Sequence, residues 1–257
     1  MSYYKILNLE HYFKMYKKSV REPRKFWDKI AEENFTWYQK WDKVFEVNFQ
    51  EANFKWFLDA KVNITKNCID RHLARRGDKT AIIFEPNNPD EKALHITYSE
   101  LYDRVARMAN VLREQGVQKG DRVCIYMPMV PELAIAVLAC ARIGAVHSIV
   151  FAGFSSQALA DRIIDAQAKV IITADGLNRG PKKVDLKSMV DEALITCNSI
   201  DNVIVLNCIN SNCKMQSGRD IDYAQLIGNQ PTTAEPEIMD SEDLLFILYT
   251  SGSTGKP

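Results

Sequence analysis

The residue types best suited to chemistry are concentrated in Thr250-Ser251-Gly252-Ser253-Thr254-Gly255-Lys256-Pro257. Hydroxyl side chains alternate with two glycines, and a lysine follows. The glycines let the backbone turn and approach a ligand closely. Loop N–H groups can form an anion-binding nest, the hydroxyls add donors, and Lys256 adds a mobile positive charge. Such a segment is suited to holding a polyphosphate. It is not a Walker A loop, which needs Gly where Thr250 stands and Ser or Thr where Pro257 stands. A flexible Ser/Gly linker is the plainer alternative, and the apolar run Leu244–Tyr249 directly before it argues against that.

A second candidate is Phe151-Ala152-Gly153, ahead of a helix that Ser155 or Ser156 would cap. A helix N-terminus beside a glycine suits phosphate. On residue type alone, Phe151 is a core residue at a strand end. Other reactive residues point to structure. Asp70-Arg71-His72 reads as pairing and capping, because consecutive helical residues face different ways. His147, inside an apolar strand, reads as a satisfied core histidine, and His11 and His95 carry no signal. Lys182, Lys183, Asp185 and Lys187 read as a solvated helix start. Cys68, Cys124, Cys140, Cys197, Cys208 and Cys213 form no CxxC pair, so free thiols in a reducing cytoplasm are expected, with no zinc site.

The elements that position these residues follow from periodicity. Residues 1–60 hold most of the aromatics and all four tryptophans. Tyr12/Tyr16, Trp37/Trp41 and Phe45/Phe49 are i, i+4 pairs, which predicts an aromatic-rich helical segment. Residues 61–257 predict an α/β part. Strands are expected at 81–84, 95–97, 122–127, 145–151, 169–174 and 202–207, with helices after Thr97, over 131–143, 156–167 and 185–197. Thr97 and Glu100 match a capping box, and Pro131 suits a first helical turn. Repeated β-α-β units require a largely parallel sheet flanked by helices. Residues 208–241 read as an irregular surface excursion, and 244–249 as a strand covered on both faces. A core strand followed at once by the end of the chain suggests that the sequence is truncated.

Composition narrows the class. Hydrophobic residues make up 46% and charged residues 26%, ordinary values for a globular chain. Thirty-three basic residues balance thirty-three acidic ones, which argues against a dedicated binder of nucleic acid or anionic membranes. The longest apolar stretch is Leu133–Ala141, well short of the about twenty residues of a membrane span.

Tyr249–Pro257 resembles the signature loop of the adenylate-forming superfamily, which closes over the β- and γ-phosphates of ATP. Thr97-Tyr98, Glu100-Leu101, Gly116 and Gly120-Asp121-Arg122-Val123 match a second shared segment. Within that superfamily the chain is most similar to the AMP-forming acetyl-CoA synthetases. The similarity rests on Trp37–Trp41, Lys55–Phe57, Asn63, Asn67–His72, Met127–Glu132, Gly144–Ser155, Asp175-Gly176 and Arg179. It runs from about residue 10 to the end, and covers only the N-terminal part of the family.

The resemblance implies an ATP-phosphate site at Thr250, Ser251, Gly252, Ser253, Thr254, Gly255 and Lys256. It implies a CoA-nucleotide site at Phe151, Ala152, Gly153, Arg179, Gly180, Pro181 and Lys182, with Phe151 flanking the adenine and Arg179 on a phosphate. Lys182 stands where a second arginine is usual, and keeps the charge without the bidentate fork. Leu244 replaces a usual proline. By resemblance, acetate attacks the α-phosphate of Mg-ATP, and the CoA thiol then displaces AMP. ATP, CoA and Mg2+ are expected as substrates and metal, with no permanently bound cofactor. No protein nucleophile is needed, and no catalytic or metal-ligating residue is expected here. The acyl pocket and the adenylation lysine belong to the family's C-terminal half, so the chain alone is expected to be inactive. Alternatives are a propionyl- or other short-chain acyl-CoA synthetase and a non-catalytic CoA-binding module. An NAD-binding domain is disfavoured, since no G-x-G-x-x-G follows a strand.

Overall fold

The computed structural model describes residues 6–180 and 182–250. Among them are two compact units. One runs to Asn67 and takes in Ile238–Asp243; the other runs from Cys68 to Glu237 and resumes at Leu244.

In the first unit, α1 (Leu9–Arg21) starts where the Asn8 side chain accepts the His11 N–H, and α2 (Pro23–Asn34) starts on proline. Tyr12 and Tyr16 stack along α1 at 6.3 Å, as their spacing predicts. The other two aromatic pairs are not helical. Phe45 lies in β1 (Lys43–Asn48), which pairs antiparallel with β2 (Asn53–Leu58), and Phe49 opens their turn. Trp37 and Trp41 sit in the loop ahead, 5.0 Å apart, and both meet Phe57. Aromatic and β-branched residues suit a pleated surface, and cross-strand pairs such as Phe45 with Trp56 outweigh the helical spacing. The unit continues into β3 (Lys61–Val62).

A π-helical turn, Lys66–Asp70, leads to α3 (Arg71–Arg76). β4 (Thr80–Phe84) and β5 (Leu94–Thr97) pair antiparallel. The predicted capping box then opens α4 (Tyr98–Glu114), with Thr97 and Glu100 exchanging backbone bonds. The expected alternation follows: β6 (Arg122–Tyr126), α5 (Pro131–Ile143), β7 (Val146–Ile149), α6 (Ser156–Ala166) and β8 (Val170–Ala174). A hairpin, β9 (Gly176–Arg179) and β10 (Lys182–Asp185), precedes α7 (Leu186–Ala193) and β11 (Asn202–Leu206). The excursion after β11 is more ordered than its composition suggests. It carries β12 (Asp220–Asp222) and α8 (Tyr223–Gly228), then β13 (Met239–Asp240), which returns to β3 in the first unit; β14 (Phe246–Ile247) follows.

Six strands form one sheet in the order β12-β11-β8-β6-β7-β14, every neighbouring pair parallel. Side chains of β6 alternate between two buried layers. Val123 and Ile125 face the layer of α4 and α5, and Cys124 and Tyr126 face that of α6 and α7. Each fully buried aliphatic side chain contributes about 1.5–3 kcal/mol.

Four expectations change. β14 is an edge strand among the described residues, and Leu244, Phe246 and Leu248 are exposed rather than covered on both faces. Residues 227–235 form a strap over the α4 side. Arg107, Asn110 and Arg113, one row of α4, donate to the carbonyls of Gln230, Thr233 and Glu235, and Arg142 donates to Ala234. Lys187 is buried, not solvated, because Asp191 and Asp220 both pair with it at 2.7 Å. Asp70 pairs bidentately with buried Arg142 at 2.8 Å and forms no side-chain cap on α3.

Candidate functional site

In a parallel sheet all carboxyl ends lie on one edge, and ligands bind in the crevice outside that edge. The sheet order therefore decides which candidates come together. Going along the edge, Tyr249 and Thr250 leave β14, the Phe151 turn leaves β7, β6 ends at Tyr126, and the hairpin carrying Arg179 leaves β8.

The Phe151 turn is tight. Phe154 N–H donates to the Phe151 carbonyl at 3.0 Å, and Ser155 caps α6 by accepting the Ala158 N–H. Phe151 is 60% exposed, so it is not the core residue that its type alone suggests. Its ring folds over Gly153, where a Cβ would come within 2.6 Å of the ring. Ala152 is buried beneath. Tyr126 holds the turn from below: its hydroxyl donates to the Phe154 carbonyl at 2.8 Å and touches Met189 of α7. Burial pushes that phenol up to about 12, so it remains a donor at neutral pH.

Arg179 and Lys182 face each other across the β9–β10 hairpin, and both are exposed. Gly180 turns the chain between them with φ of 58°, a conformation that favours glycine. Among the described residues neither side chain has an ion-pair partner, so two positive charges stand together at the sheet edge. Pro181 and the motif residues Ser251, Gly252, Ser253, Thr254, Gly255 and Lys256 lie outside the described residues.

Sequence reasoning passed over the residue that roots this hairpin. Asp175 directly follows β8, buried, and its carboxylate accepts the N–H groups of Gly176, Cys208, Ile209 and Ser211 at 2.7–3.1 Å. Burial opposes its charge, but those backbone donors outweigh it and hold the carboxyl below its ordinary range. The Asp175-Gly176 pair was legible as similarity, without its role. His147 is in the core as expected but not satisfied: its Nδ1 has no partner among the described residues, and its ring stacks on Phe246 at 5.6 Å. Burial lowers its pKa, which keeps it neutral. All six cysteines are free thiols, and no cluster of three His, Cys, Asp or Glu among the described residues is placed to hold a metal.

Comparison with known proteins agrees with this geometry. Residues 69–257 match the model of the AMP-binding enzyme family, and residues 12–68 match that of the acetyl-coenzyme A synthetase N-terminus. The chain belongs to the AMP-binding enzyme family. It is 51% identical over 254 residues to the acetyl-coenzyme A synthetase of Magnetococcus marinus, covering 98% of this chain and 39% of that protein. It is 52% identical over 249 residues to that of Desulfatibacillum aliphaticivorans, covering 96% and 38%. The acetoacetyl-CoA synthetase from Streptomyces lividans superimposes with a TM-score of 0.85 at 26% identity, covering 94% of this chain and 36% of that one. This AMP-binding enzyme chain therefore spans about two fifths of the length of the curated relatives it matches. The parallel sheet and its helical layers are those of an adenylate-forming synthetase. No helix among the described residues is long and apolar enough to cross a membrane.

Proposed function

We propose that this chain supplies the CoA-nucleotide and ATP-phosphate side of an AMP-forming acetate–CoA ligase. The observation that carries the CoA assignment is an exposed aromatic ring and two cations, without ion-pair partners among the described residues, on one sheet edge. Phe151 offers a flat apolar face for adenine, and Arg179 with Lys182 offers charge for the nucleotide's phosphates. The buried Ala152 and the ring-covered Gly153 keep the turn close to the sheet, and Gly180, with φ of 58°, turns the chain between the two cations.

The motif Thr250–Lys256 follows β14 in sequence, and we assign it to the polyphosphate of ATP. Acetate then attacks the α-phosphate, pyrophosphate leaves, and the CoA thiol displaces AMP from acetyl-AMP. This chain's share of the first step is to hold the departing phosphates while charge accumulates on them. Magnesium enters as the counter-ion of ATP. Acetate is favoured over a longer acyl group because the N-terminal segment matches the acetyl-coenzyme A synthetases.

Calorimetric titration of the chain with CoA tests the reading. Binding should weaken about tenfold in Arg179→Ala, as loss of one exposed charge-assisted contact implies. A CoA affinity unchanged by Arg179→Ala, or no CoA binding at all, would overturn the placement of the pocket. Acetate-dependent AMP formation should be absent, because the resemblance puts the acyl pocket and the adenylation lysine in the family's C-terminal half; detectable turnover refutes that division of labour.

A further inference from the structure

Arg162 lies on the second turn of α6, 7% exposed. The only hydrogen bond of its guanidinium among the described residues runs from Nη1 to the Ala158 carbonyl of its own helix, at 2.7 Å. No carboxylate there lies within ion-pair distance. A guanidinium this deep is costly unless something replaces its hydration. Two aromatic faces do: the Phe154 ring at 4.8 Å and the Tyr249 ring at 5.3 Å.

The two rings belong to segments that leave different strands, Phe154 after β7 and Tyr249 after β14. Phe154 closes the turn that carries Phe151, whose ring meets it edge-on at 5.9 Å. Tyr249 directly precedes the hydroxyl-rich motif at Thr250. The sheet does not place Tyr249, because the pairing of β14 with β7 stops at Ile247. Its position is set by α6 instead, through Arg162 under the ring and Asp165, whose carboxylate accepts the Tyr249 hydroxyl at 2.6 Å.

We propose that Arg162 is a positioning residue that couples the Phe151–Phe154 turn to Tyr249, so that a ligand in the turn sets where the phosphate motif starts. The functional meaning rests on the CoA and ATP reading above; the coupling itself does not. A movement of Phe154 shifts the guanidinium stacked on it, and Tyr249, stacked on the same guanidinium, follows. Linkage makes the effect reciprocal: fixing the motif favours the turn's bound arrangement.

The test uses the full 257-residue chain labelled with 3-fluorotyrosine and followed by fluorine NMR, with Tyr249→Phe assigning the resonance. Phe154→Leu should shift the Tyr249 signal in the parent chain. Arg162→Met should move that signal toward the solvent-exposed position, and adding Phe154→Leu to Arg162→Met should move it no further. Arg162→Lys, which keeps charge but loses the planar stack, should give an intermediate position. The Tyr102 resonance, under Arg142 and away from α6, reports that each variant remains folded. Saturating CoA should shift Tyr249 in the parent chain but not in Arg162→Met, which still binds it. A Tyr249 signal unmoved by Arg162→Met, or an equal Phe154→Leu shift with and without Arg162, overturns the coupling. Failure of the parent chain to bind CoA removes the CoA reading and leaves the Phe154→Leu comparison to decide the role of Arg162.

Discussion

Replacing Asp175 by asparagine tests the hairpin's foundation. Three of the four donors converge on Oδ1: Gly176, Cys208 and Ile209. Ser211 N–H donates to Oδ2 at 2.8 Å. An asparagine oxygen at Oδ1 keeps three bonds at roughly half their charge-assisted strength. Its amide group then opposes the Ser211 N–H, donor against donor. Removing the cost of burying a charge offsets part of the loss, so the net destabilisation is about 2–4 kcal/mol. Urea unfolding at pH 7 and pH 3 measures it. The folded carboxyl titrates below the ordinary aspartate value of 3.8. Its contribution is thus complete above that value and disappears as pH falls through the folded one. The gap between parent and variant should be smaller at pH 3 than at pH 7. Amide exchange at Cys208, Ile209 and Ser211 should accelerate in the variant. A gap under about 0.5 kcal/mol, the range of ordinary surface changes, or one independent of pH, would refute the reasoning.

Other expectations are as direct. Asp70→Ala removes the bidentate partner of buried Arg142 and should cost about 3 kcal/mol in urea unfolding; a loss within surface scatter would mean that the pair contributes little. Gly153→Ala should leave stability within about 1 kcal/mol, because the exposed Phe151 ring can swing away, yet weaken CoA about tenfold by displacing that ring. Titration and a melting curve together separate the two effects. Burial pushes the thiols of Cys124 and Cys140 up to about 12, so a disulfide reagent at pH 8 should spare both in the native chain and label exposed Cys68 first. Native labelling of Cys140 as fast as Cys68 would contradict the core.

Much of this protein was legible locally. The capping box at Thr97, the proline start of α5 and the buried runs of β6, β8 and β11 depend on neighbours in sequence, so periodicity and end signals sufficed. The aromatic segment was not, because i, i+4 spacing fits a helix while Phe45 and Trp56 meet only once a hairpin closes. Lys187 was misjudged for a similar reason: charge in a sequence looks solvated until a partner far along the chain, Asp220, buries it; Asp70 pairs as expected, but its partner Arg142 lies too far along the chain to be read.

The same division holds for the site. Residue types alone pointed to a phosphate-holding motif at Thr250–Lys256, since glycine freedom and hydroxyl donors are intrinsic to the segment. Only the tertiary structure decided which other residues share its edge. Strand order places β7 between β14 and β6, and so sets the Phe151 turn between the ends of β14 and β6, with Arg179 beyond Tyr126. Asp175 and Arg162 acquire their roles only there. A carboxylate becomes an anchor when four distant or adjacent N–H groups converge on it, and a lone arginine becomes a clasp when two aromatic faces replace its water. Pattern in a sequence records what a segment can do by itself; convergence of separate segments is paid for and settled by the packed core.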